Sequence, residues 1–418
     1  MVSLFSPKSL YMSKLYPNFA SFILTKVIKK IYSLLELFFK RSIRRIAIKN
    51  DVVKVTYFNS GAKLRLFNLD LHIGVIRDIK HEIMNHTNVE LISWSISSHN
   101  GIVRKFLDVP DPVKFVNNKN WANLDIDLRD KFIKEYGGFL GKFDGFVVTH
   151  TPSFVQLFEE LEKPILLINS TRYEAPYSNN SVKWKTLNQS LQRLTESKSL
   201  HVGSNNKGDQ EYLFRKAGVE SVLVPSVCDY LSVVGEFDSP TGLIFCRSSN
   251  FQDYIQKTTN GRFKTTYGRY VSYEEIFSSS AIVVLPQNIS TMFLFEMATI
   301  GKKVFIPNAN LLKDLARKVP GVLSELSYFQ VNGFSTKGLD AEDMNNYTSP
   351  SFYDNWLSFA DFYDSDLMPN VQLFDHLSEL SQFSQKYFPN QEILSDRNEL
   401  LREKRKHFVN SFIERLCH

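Results

Sequence analysis

From about residue 54 onward, short apolar runs alternate with stretches of helical periodicity, and this alternation constrains the fold more than any other feature. Strands that alternate with helices of this length are typical of parallel βαβ units. The runs that indicate strands lie at 55–58, 64–68, 89–93, 143–149, 164–169, 199–203 and 221–225, followed by 242–246, 281–285 and 303–307. Because the polar stretch 235–240 separates the two groups, the pattern predicts two Rossmann-like α/β lobes.

The length of the chain supports two lobes, since 418 residues exceed what one hydrophobic core usually organises. We expect a basic N-terminal segment at residues 1–50 and a first lobe at 51–234. A second lobe should follow at 235–395, with a cleft between the lobes. A C-terminal helix at 396–418 should pack back toward the first lobe.

The positive charge is concentrated at one end of the chain. Residues 1–50 hold ten Lys and Arg against one acid, whereas the remainder holds 40 bases and 43 acids. The formal net charge of +6 is therefore a property of the N-terminal segment. A nucleic-acid-binding body would more often spread its positive charge over a folded face, so we expect no nucleic-acid partner.

Residues 19–46 contain no Gly or Pro and carry apolar side chains at helical spacing, which predicts a basic amphipathic helix. Charged residues interrupt its apolar run, so it is too short to span a bilayer. Two interpretations stay open: peripheral contact with an anionic membrane surface, or docking on the body or on a partner. The three cysteines lack metal-ligand or redox spacing, and we expect a cytoplasmic protein.

The segment 272–307 combines a helix, a strand ending in Pro286, a polar loop, a second helix and another strand. It resembles the donor-binding half of GT-B glycosyltransferases, and its stretch EMATIGKKV, which starts at Glu296, is similar to their E-A-x-A-x-G-x-P-V pattern. The resemblance implies a GT-B-like fold and a transferase that moves a sugar from a nucleotide-sugar donor to a glycan, glycoprotein or other hydroxyl acceptor. The nucleotide sugar is then a co-substrate, and no other cofactor is required.

The resemblance places the donor on the second lobe. Ser290 and Thr291 begin a helix predicted at 290–300, whose N-terminus suits a diphosphate. Glu296 would bind the ribose hydroxyls. Alternatively, Ser290 caps a core helix and Glu296 is solvated. Asn288 stands where many retaining members carry a second Glu, so the sugar and the stereochemical outcome stay open.

Three further candidates for the donor site follow the strand at 242–246. Arg247 and Ser248 lie at the carboxyl edge of that strand, where ligands bind in open α/β sheets. Arg247 suits bidentate contact with a diphosphate leaving group, or forms an ordinary surface salt bridge. Tyr267 is a candidate for the nucleotide-base pocket.

In the first lobe, His72 and Gly74 lie at the first strand-to-helix turn, although one Gly alone makes no dinucleotide fingerprint. His150 ends a predicted strand, and similar His residues in GT-B enzymes face the donor sugar. It could equally be a hydrogen-bonded turn residue. Glu174 could act as general base on an acceptor hydroxyl, or form a structural pair with Arg172.

Two D-x-D triplets, Asp125 with Asp127 and Asp364 with Asp366, match the spacing of metal-dependent transferases but follow no strand edge. We therefore predict that no metal is required. Two rival functions remain: a non-catalytic two-lobed ligand-binding protein, and a sugar-nucleotide epimerase of the same architecture.

Overall fold

The computed structural model describes residues 64–71, 73–84, 88–96, 116–117, 120–231, 239–382 and 390–417. All of these residues belong to one compact unit of the chain. The predicted amphipathic helix at 19–46, the predicted strand at 55–58 and His72 lie outside the described residues.

The first sheet contains six parallel strands in the order β2-β1-β3-β4-β5-β6. They are β1 (Leu64–Asp70), β2 (Val89–Ser95), β3 (Gly145–Thr149), β4 (Ile165–Asn169), β5 (Leu200–Ser204) and β6 (Val222–Leu223). Every residue of β3 and β4 is buried, as expected for continuous apolar runs covered on both faces. We call the part of the chain that carries this sheet the first lobe.

The second sheet contains five parallel strands in the order β11-β10-β9-β7-β8. They are β7 (Gly242–Phe245), β8 (Phe263–Thr265), β9 (Ile282–Val284), β10 (Val304–Pro307) and β11 (Val371–Phe374). We call the part that carries it the second lobe. Two parallel sheets with helical crossovers confirm the predicted α/β fold class with two Rossmann-like lobes.

Eleven α-helices occur among the described residues. In the first lobe they are α1 (Ile73–Met84), α2 (Ile126–Leu140), α3 (Ser181–Glu196) and α4 (Lys207–Ala217). The second lobe has α5 (Ser249–Thr258), α6 (Tyr273–Ser278), α7 (Met292–Thr299), α8 (Ala309–Lys318), α9 (Tyr328–Asn332) and α10 (Phe352–Leu357), and α11 (Gln391–Cys417) follows. None of the described helices combines the length and apolarity needed to cross a membrane.

Some elements differ from the sequence prediction. The segment 153–161 forms two 3-10 helices, Pro152–Leu157 and Glu159–Leu161, instead of one α-helix. All six residues of the first are buried, so the segment packs on every side rather than on one helical face. The helix predicted at 290–300 is shorter and begins at Met292. Strands β8 and β11, of three and four residues, were not predicted.

Helix α11 runs from the second lobe to the first, as predicted for the C-terminal helix, although it begins at Gln391. At the second-lobe end, Arg397 Nε donates to the Leu367 carbonyl at 2.9 Å. At the first-lobe end, the Phe408 ring stacks on His201 with 4.4 Å between centroids. Phe408, Val409 and Phe412 share one apolar core with residues of α1, β1, β3 and β4. The helix therefore ties the two lobes together.

Candidate functional site

A cleft of about 370 Å³ lies where loops that follow strands of both sheets meet. Its lining residues are Val75, His150, Ser170, Thr171, Arg172, Asn205, Asn206, Asn288, Ser290, Thr291, Met292, Phe295, Glu325, Ser327, Tyr328 and Val331. Because the strands are parallel, the loops after their carboxyl ends gather at one edge of each sheet. This is the edge at which open α/β sheets bind ligands.

The cleft coincides with the point in each sheet where the strand order reverses. In the first sheet the reversal lies between β1 and β3, which are followed by Val75 and His150. In the second sheet it lies between β7 and β9, and the loop after β9 supplies Ser290 and Thr291. Gly74 is the second residue of α1, next to Val75, but is not itself in the cleft lining.

His150 directly follows β3 and has an unusual backbone conformation. Its φ is 61°, in the left-handed region that non-glycine residues adopt rarely and at an energetic cost. The backbone N–H of His150 donates to the Ile168 carbonyl at 3.2 Å, and its Nδ1 lies 3.2 Å from the Thr151 hydroxyl. These contacts hold the imidazole at the cleft wall, where a group that accepts or donates a proton can reach a ligand.

Arg172 brings a buried positive charge to the cleft. Its side chain is 4% exposed and lies 5.0 Å from the centre of the Trp356 ring. Nε is 3.4 Å from the Asp209 carboxylate, and Nη1 is buried without a hydrogen-bond partner among the described residues. Buried guanidinium groups are normally hydrogen-bonded, so this wall is suited to a polar ligand rather than an apolar one.

The start of helix α4 forms the neighbouring part of the wall. Asn206 caps the helix, because its side-chain oxygen accepts the Asp209 N–H at 2.7 Å. Asn206 Nδ2 also donates to the Asp209 carboxylate at 2.6 Å. A Cβ atom at Gly208 would overlap Ile289 of the second lobe, so glycine allows the two lobes to approach closely here. Asn205 and Asn206 are thus held in the cleft lining next to a close contact between the lobes.

The N-terminus of α7 enters the cleft from the second lobe. Thr291 occupies the N-cap position, yet no side chain of the described residues caps this helix. In the same lobe Ser248, Ser272 and Asn308 do cap α5, α6 and α8. The first N–H groups of α7 therefore retain their affinity for an acceptor, and the helix dipole favours a negative one.

Arg247 lies beside the cleft rather than in its lining. Its Nη1 is 2.5 Å from the Glu325 carboxylate, and Glu325 does line the cleft. The Arg247 side chain is about half exposed. Two other candidates also lie outside the lining: Ser248 caps α5, and Tyr267 is 56% exposed.

Glu174 is fully buried and is not in the cleft lining. Its Oε1 accepts a hydrogen bond from the Tyr212 hydroxyl at 2.8 Å, and that hydroxyl also contacts Asn345 of the second lobe. Burial raises the pKa of Glu174 to about 7. The structure thus places this carboxyl within the lobe interface and outside the cleft lining, with Arg172 as a nearby charge.

Glu296 is also buried and lies outside the cleft lining. Its Oε1 accepts hydrogen bonds from the Tyr230 hydroxyl at 2.6 Å and the Tyr273 hydroxyl at 2.8 Å. Burial raises the pKa of this carboxyl. The solvated alternative for Glu296 is therefore wrong, because the residue is buried and two tyrosine hydroxyls bond to its carboxylate.

One aspartate of each D-x-D triplet makes a structural hydrogen bond. Asp125 caps α2 by accepting the Leu128 N–H at 2.9 Å, and Asp364 accepts a hydrogen bond from Lys207 at 2.8 Å. A separate group with the spacing of metal ligands, within the described ranges, is His81, Glu82 and Asp229. Both oxygens of Asp229 accept hydrogen bonds from Arg402 at 2.7 Å, so an arginine already neutralises the Asp229 carboxylate.

Several cleft residues were missed by the sequence interpretation, namely Asn205, Asn206, Glu325 and Tyr328. The pair Asn205 and Asn206 carried a usable signal, since it follows an apolar run and precedes a helix. Tyr328 carried none: its hydroxyl meets Thr171 of the first lobe at 3.1 Å, a contact between residues 157 positions apart.

No protein-family model matches the chain, and no curated protein matches it. Among solved structures, it is similar to the glycosyltransferase of kitacinnamycin, with 9% identity, a TM-score of 0.41 and coverage of 84% of this chain and 98% of that one. It is similar to the spinosyn forosaminyltransferase SpnP, with 10% identity, a TM-score of 0.42 and coverage of 85% and 99%. A UDP-GlcNAc 2-epimerase from Methanocaldococcus jannaschii shows 12% identity, a TM-score of 0.37 and coverage of 60% and 87%.

Proposed function

We propose that the protein is a glycosyltransferase that moves a sugar from a nucleotide-sugar donor to a hydroxyl of a glycan, glycoprotein or other acceptor. The observation that carries this proposal is the uncapped N-terminus of α7, which opens into a polar cleft at the strand-order reversals of both sheets. Such a helix start binds anions through its N–H groups and its dipole.

The donor diphosphate would lie at the start of α7. The backbone N–H groups there and the hydroxyls of Ser290 and Thr291 are donors for phosphate oxygens. Together they can stabilise the charge that develops on the leaving diphosphate without an obligatory metal ion. Metal independence and the absence of any further cofactor are part of the proposal.

Arg247 would complete the phosphate site by binding the diphosphate in place of Glu325. Its present contact is with Glu325, and both side chains are partly exposed. Exposed ion pairs contribute little free energy, so a diphosphate can replace Glu325 at small cost. Arg247 would then strengthen its contact as negative charge develops on the leaving group.

The transferred sugar would face the first lobe. Thr171, Arg172, Asn205 and Asn206 provide hydroxyl, guanidinium and amide groups that suit sugar hydroxyls. Of the three catalytic candidates His150, Glu174 and Arg247, only His150 lines the cleft, and we assign it the role of general base on the acceptor. A ribose contact by Glu296 would have to use Oε2, since Oε1 already accepts from two tyrosines.

A panel of nucleotide sugars tests this function. The purified full chain, with and without a chelator, is incubated with UDP-, GDP-, CMP- and dTDP-linked sugars, and products are separated by chromatography. We expect slow release of free sugar and nucleotide from one donor, unaffected by the chelator, and loss of this release in His150→Ala.

Other outcomes identify the rival functions. Interconversion of one nucleotide sugar into its epimer would mean an epimerase of the same architecture. Tight binding of a sugar nucleotide with no turnover, even with acceptor mixtures, would mean a two-lobed binding protein. Absence of any binding would refute the nucleotide site itself.

A further inference from the structure

Asp361 is a buried carboxyl behind the second-lobe wall of the cleft. It begins the 3-10 helix Asp361–Tyr363, and its backbone N–H donates to the Ile289 carbonyl at 3.1 Å. This bond fixes Asp361 against the loop that carries Ser290. The side chain is 2% exposed, and neither carboxyl oxygen makes a hydrogen bond of regular geometry with a described residue. Buried carboxyl oxygens normally have hydrogen-bond partners. The backbone contact of Asp361 does not provide one for its side chain.

Burial has the largest effect on the Asp361 carboxyl and favours its neutral form, whereas the Ser290 hydroxyl and Lys207 favour its charged form. Asp209 of α4 and Asp364 of the same turn both repel a negative charge on it. Lys207 is the nearby cation, but its Nζ already bonds to Asp364 at 2.8 Å. Burial is the largest effect, and it raises the pKa of Asp361 to about 8. Burial without a hydrogen bond of regular geometry therefore favours the protonated form, in which the carboxyl has a proton to donate.

Ser290 lines the cleft and directly follows Ile289, whose carbonyl holds the Asp361 backbone, and the Ser290 hydroxyl interacts with the Asp361 carboxyl. A serine hydroxyl has one proton to donate and two lone pairs that accept. If Asp361 is protonated and donates to Ser290 Oγ, the serine proton can point into the cleft. If Asp361 is ionised, the serine proton turns back toward the carboxylate, and only lone pairs face the cleft.

We propose that Asp361 is a positioning residue: its proton holds the Ser290 hydroxyl in the orientation that donates to an anionic oxygen of the donor diphosphate. This inference rests on the proposed function, because it assumes that a nucleoside diphosphate binds at Ser290. Asp361 does not touch the ligand. It sets the direction of the Ser290 hydrogen bond, and it makes donor affinity depend on pH above neutrality.

Calorimetric titration of the full chain with UDP, GDP, CDP, ADP and dTDP at pH 7 first selects the nucleotide that binds best. The affinity for that nucleotide is then measured from pH 7 to pH 9 at constant ionic strength. Wild-type affinity should fall about tenfold over this range, because the protonated fraction of a group with a pKa near 8 falls by about that factor. Asp361→Asn should show nearly constant affinity, since an amide donates to Ser290 at every pH.

Two further variants test whether Asp361 acts through Ser290. Ser290→Ala should bind more weakly at pH 7 and show a flat profile, although it leaves Asp361 intact. The double variant should match Ser290→Ala. Any titration of the nucleobase is common to all variants and cancels in the comparison. Thermal unfolding of each variant at pH 7 identifies a substitution that merely damages the fold.

The outcomes separate this inference from the proposed function. If no nucleoside diphosphate binds at pH 7, the proposed function fails. If one binds but the wild-type profile is flat, or Asp361→Asn or Ser290→Ala keeps the wild-type slope, the donor site stands and the role of Asp361 is refuted.

Discussion

Buried polar side chains join the two lobes behind the cleft, and Glu174 is one whose ionisation affects stability. Its carboxyl accepts a hydrogen bond from Tyr212, but its second oxygen has no hydrogen-bond partner among the described residues. Burial without a full set of donors is what raises its pKa to about 7. A glutamate held in this way makes folding more favourable when protonated than when charged.

Glu174→Gln should change how stability depends on pH. The pKa of Glu174 in the folded state, about 7, lies above the ordinary value of 4.5. The wild type therefore loses stability as pH rises from 4.5 through 7. Between pH 5 and pH 8 the free energy of unfolding of the variant, relative to wild type, should increase by up to about 3 kcal/mol, since one pKa unit corresponds to about 1.4 kcal/mol.

Urea unfolding at several pH values measures this difference, with Glu160→Gln as the control because Glu160 is exposed. The control should follow the wild type across the range. A variant that stays parallel to wild type from pH 5 to pH 8 would show that Glu174 is not protonated near neutrality in the fold.

Residue placements that depend on strand ends were accessible to sequence reasoning. His150, Ser290 and Thr291 line the cleft because each follows an apolar strand, and parallel topology gathers such residues at one edge. The side-chain contacts of Glu174 and Glu296 were not accessible. Glu296 meets Tyr230 from 66 positions away, and nothing local to either residue indicates that the pair is buried.

At the scale of elements, the second lobe provides an internal comparison of helix starts. Helix α8 is capped by Asn308, whose side-chain oxygen accepts the Leu311 N–H at 2.8 Å. Thr291 at the N-cap of α7 is a residue type that caps well, but its hydroxyl makes no capping bond within the described structure. A residue that stabilises a helix and one reserved for a ligand should respond differently to substitution.

Thr291→Val should weaken binding of the selected nucleoside diphosphate by about tenfold or more, the range for a lost hydrogen bond to a charged group. Its free energy of unfolding should change by less than about 0.5 kcal/mol, since no cap is lost. Asn308→Ala should show the reverse, losing about 1 kcal/mol of stability and no affinity. Calorimetry and urea unfolding of both variants measure the two effects. Equal losses of stability would mean that Thr291 is an ordinary cap.

The order of elements was largely predictable, because alternating apolar runs and helical stretches imply parallel sheets. The short edge strands could not be predicted from the sequence. Strand β8 has three residues with an exposed Lys264 at its centre, and β11 follows a long stretch of turns. The prediction of an α-helix at 153–161 was wrong. Helix prediction depends on one apolar and one solvent-facing side, and all residues of Pro152–Leu157 are buried.

For the whole molecule, the fit between the lobes depends on one close contact. A side chain at Gly208 would overlap the Cδ1 atom of Ile289, which is fully buried. Gly208→Ala should therefore destabilise the protein by about 1 to 3 kcal/mol, the usual cost of overpacking. Ile289→Val removes the overlapping atom and should restore part of the loss.

A double-mutant cycle with thermal and urea unfolding measures this coupling. We expect the double variant to be more stable than the sum of the two single effects by at least about 0.5 kcal/mol. Gly218→Ala is a useful comparison, because Gly218 has a φ of 66° and ends α4 away from Ile289. It should be destabilised without any rescue by Ile289→Val. Strict additivity for Gly208 and Ile289 would contradict the close contact.

Helix α11 also bears on how the protein is made. The apolar layer against β1, β3 and β4 includes Phe408, Val409 and Phe412 of α11. The last strand of the first sheet, β6, is synthesised long before these three residues. A ribosome adds about 5 to 20 residues per second, so roughly ten to forty seconds separate synthesis of β6 from synthesis of these side chains. During that interval the nascent first lobe exposes an apolar face. A chaperone bound to this face would protect the lobe from aggregation.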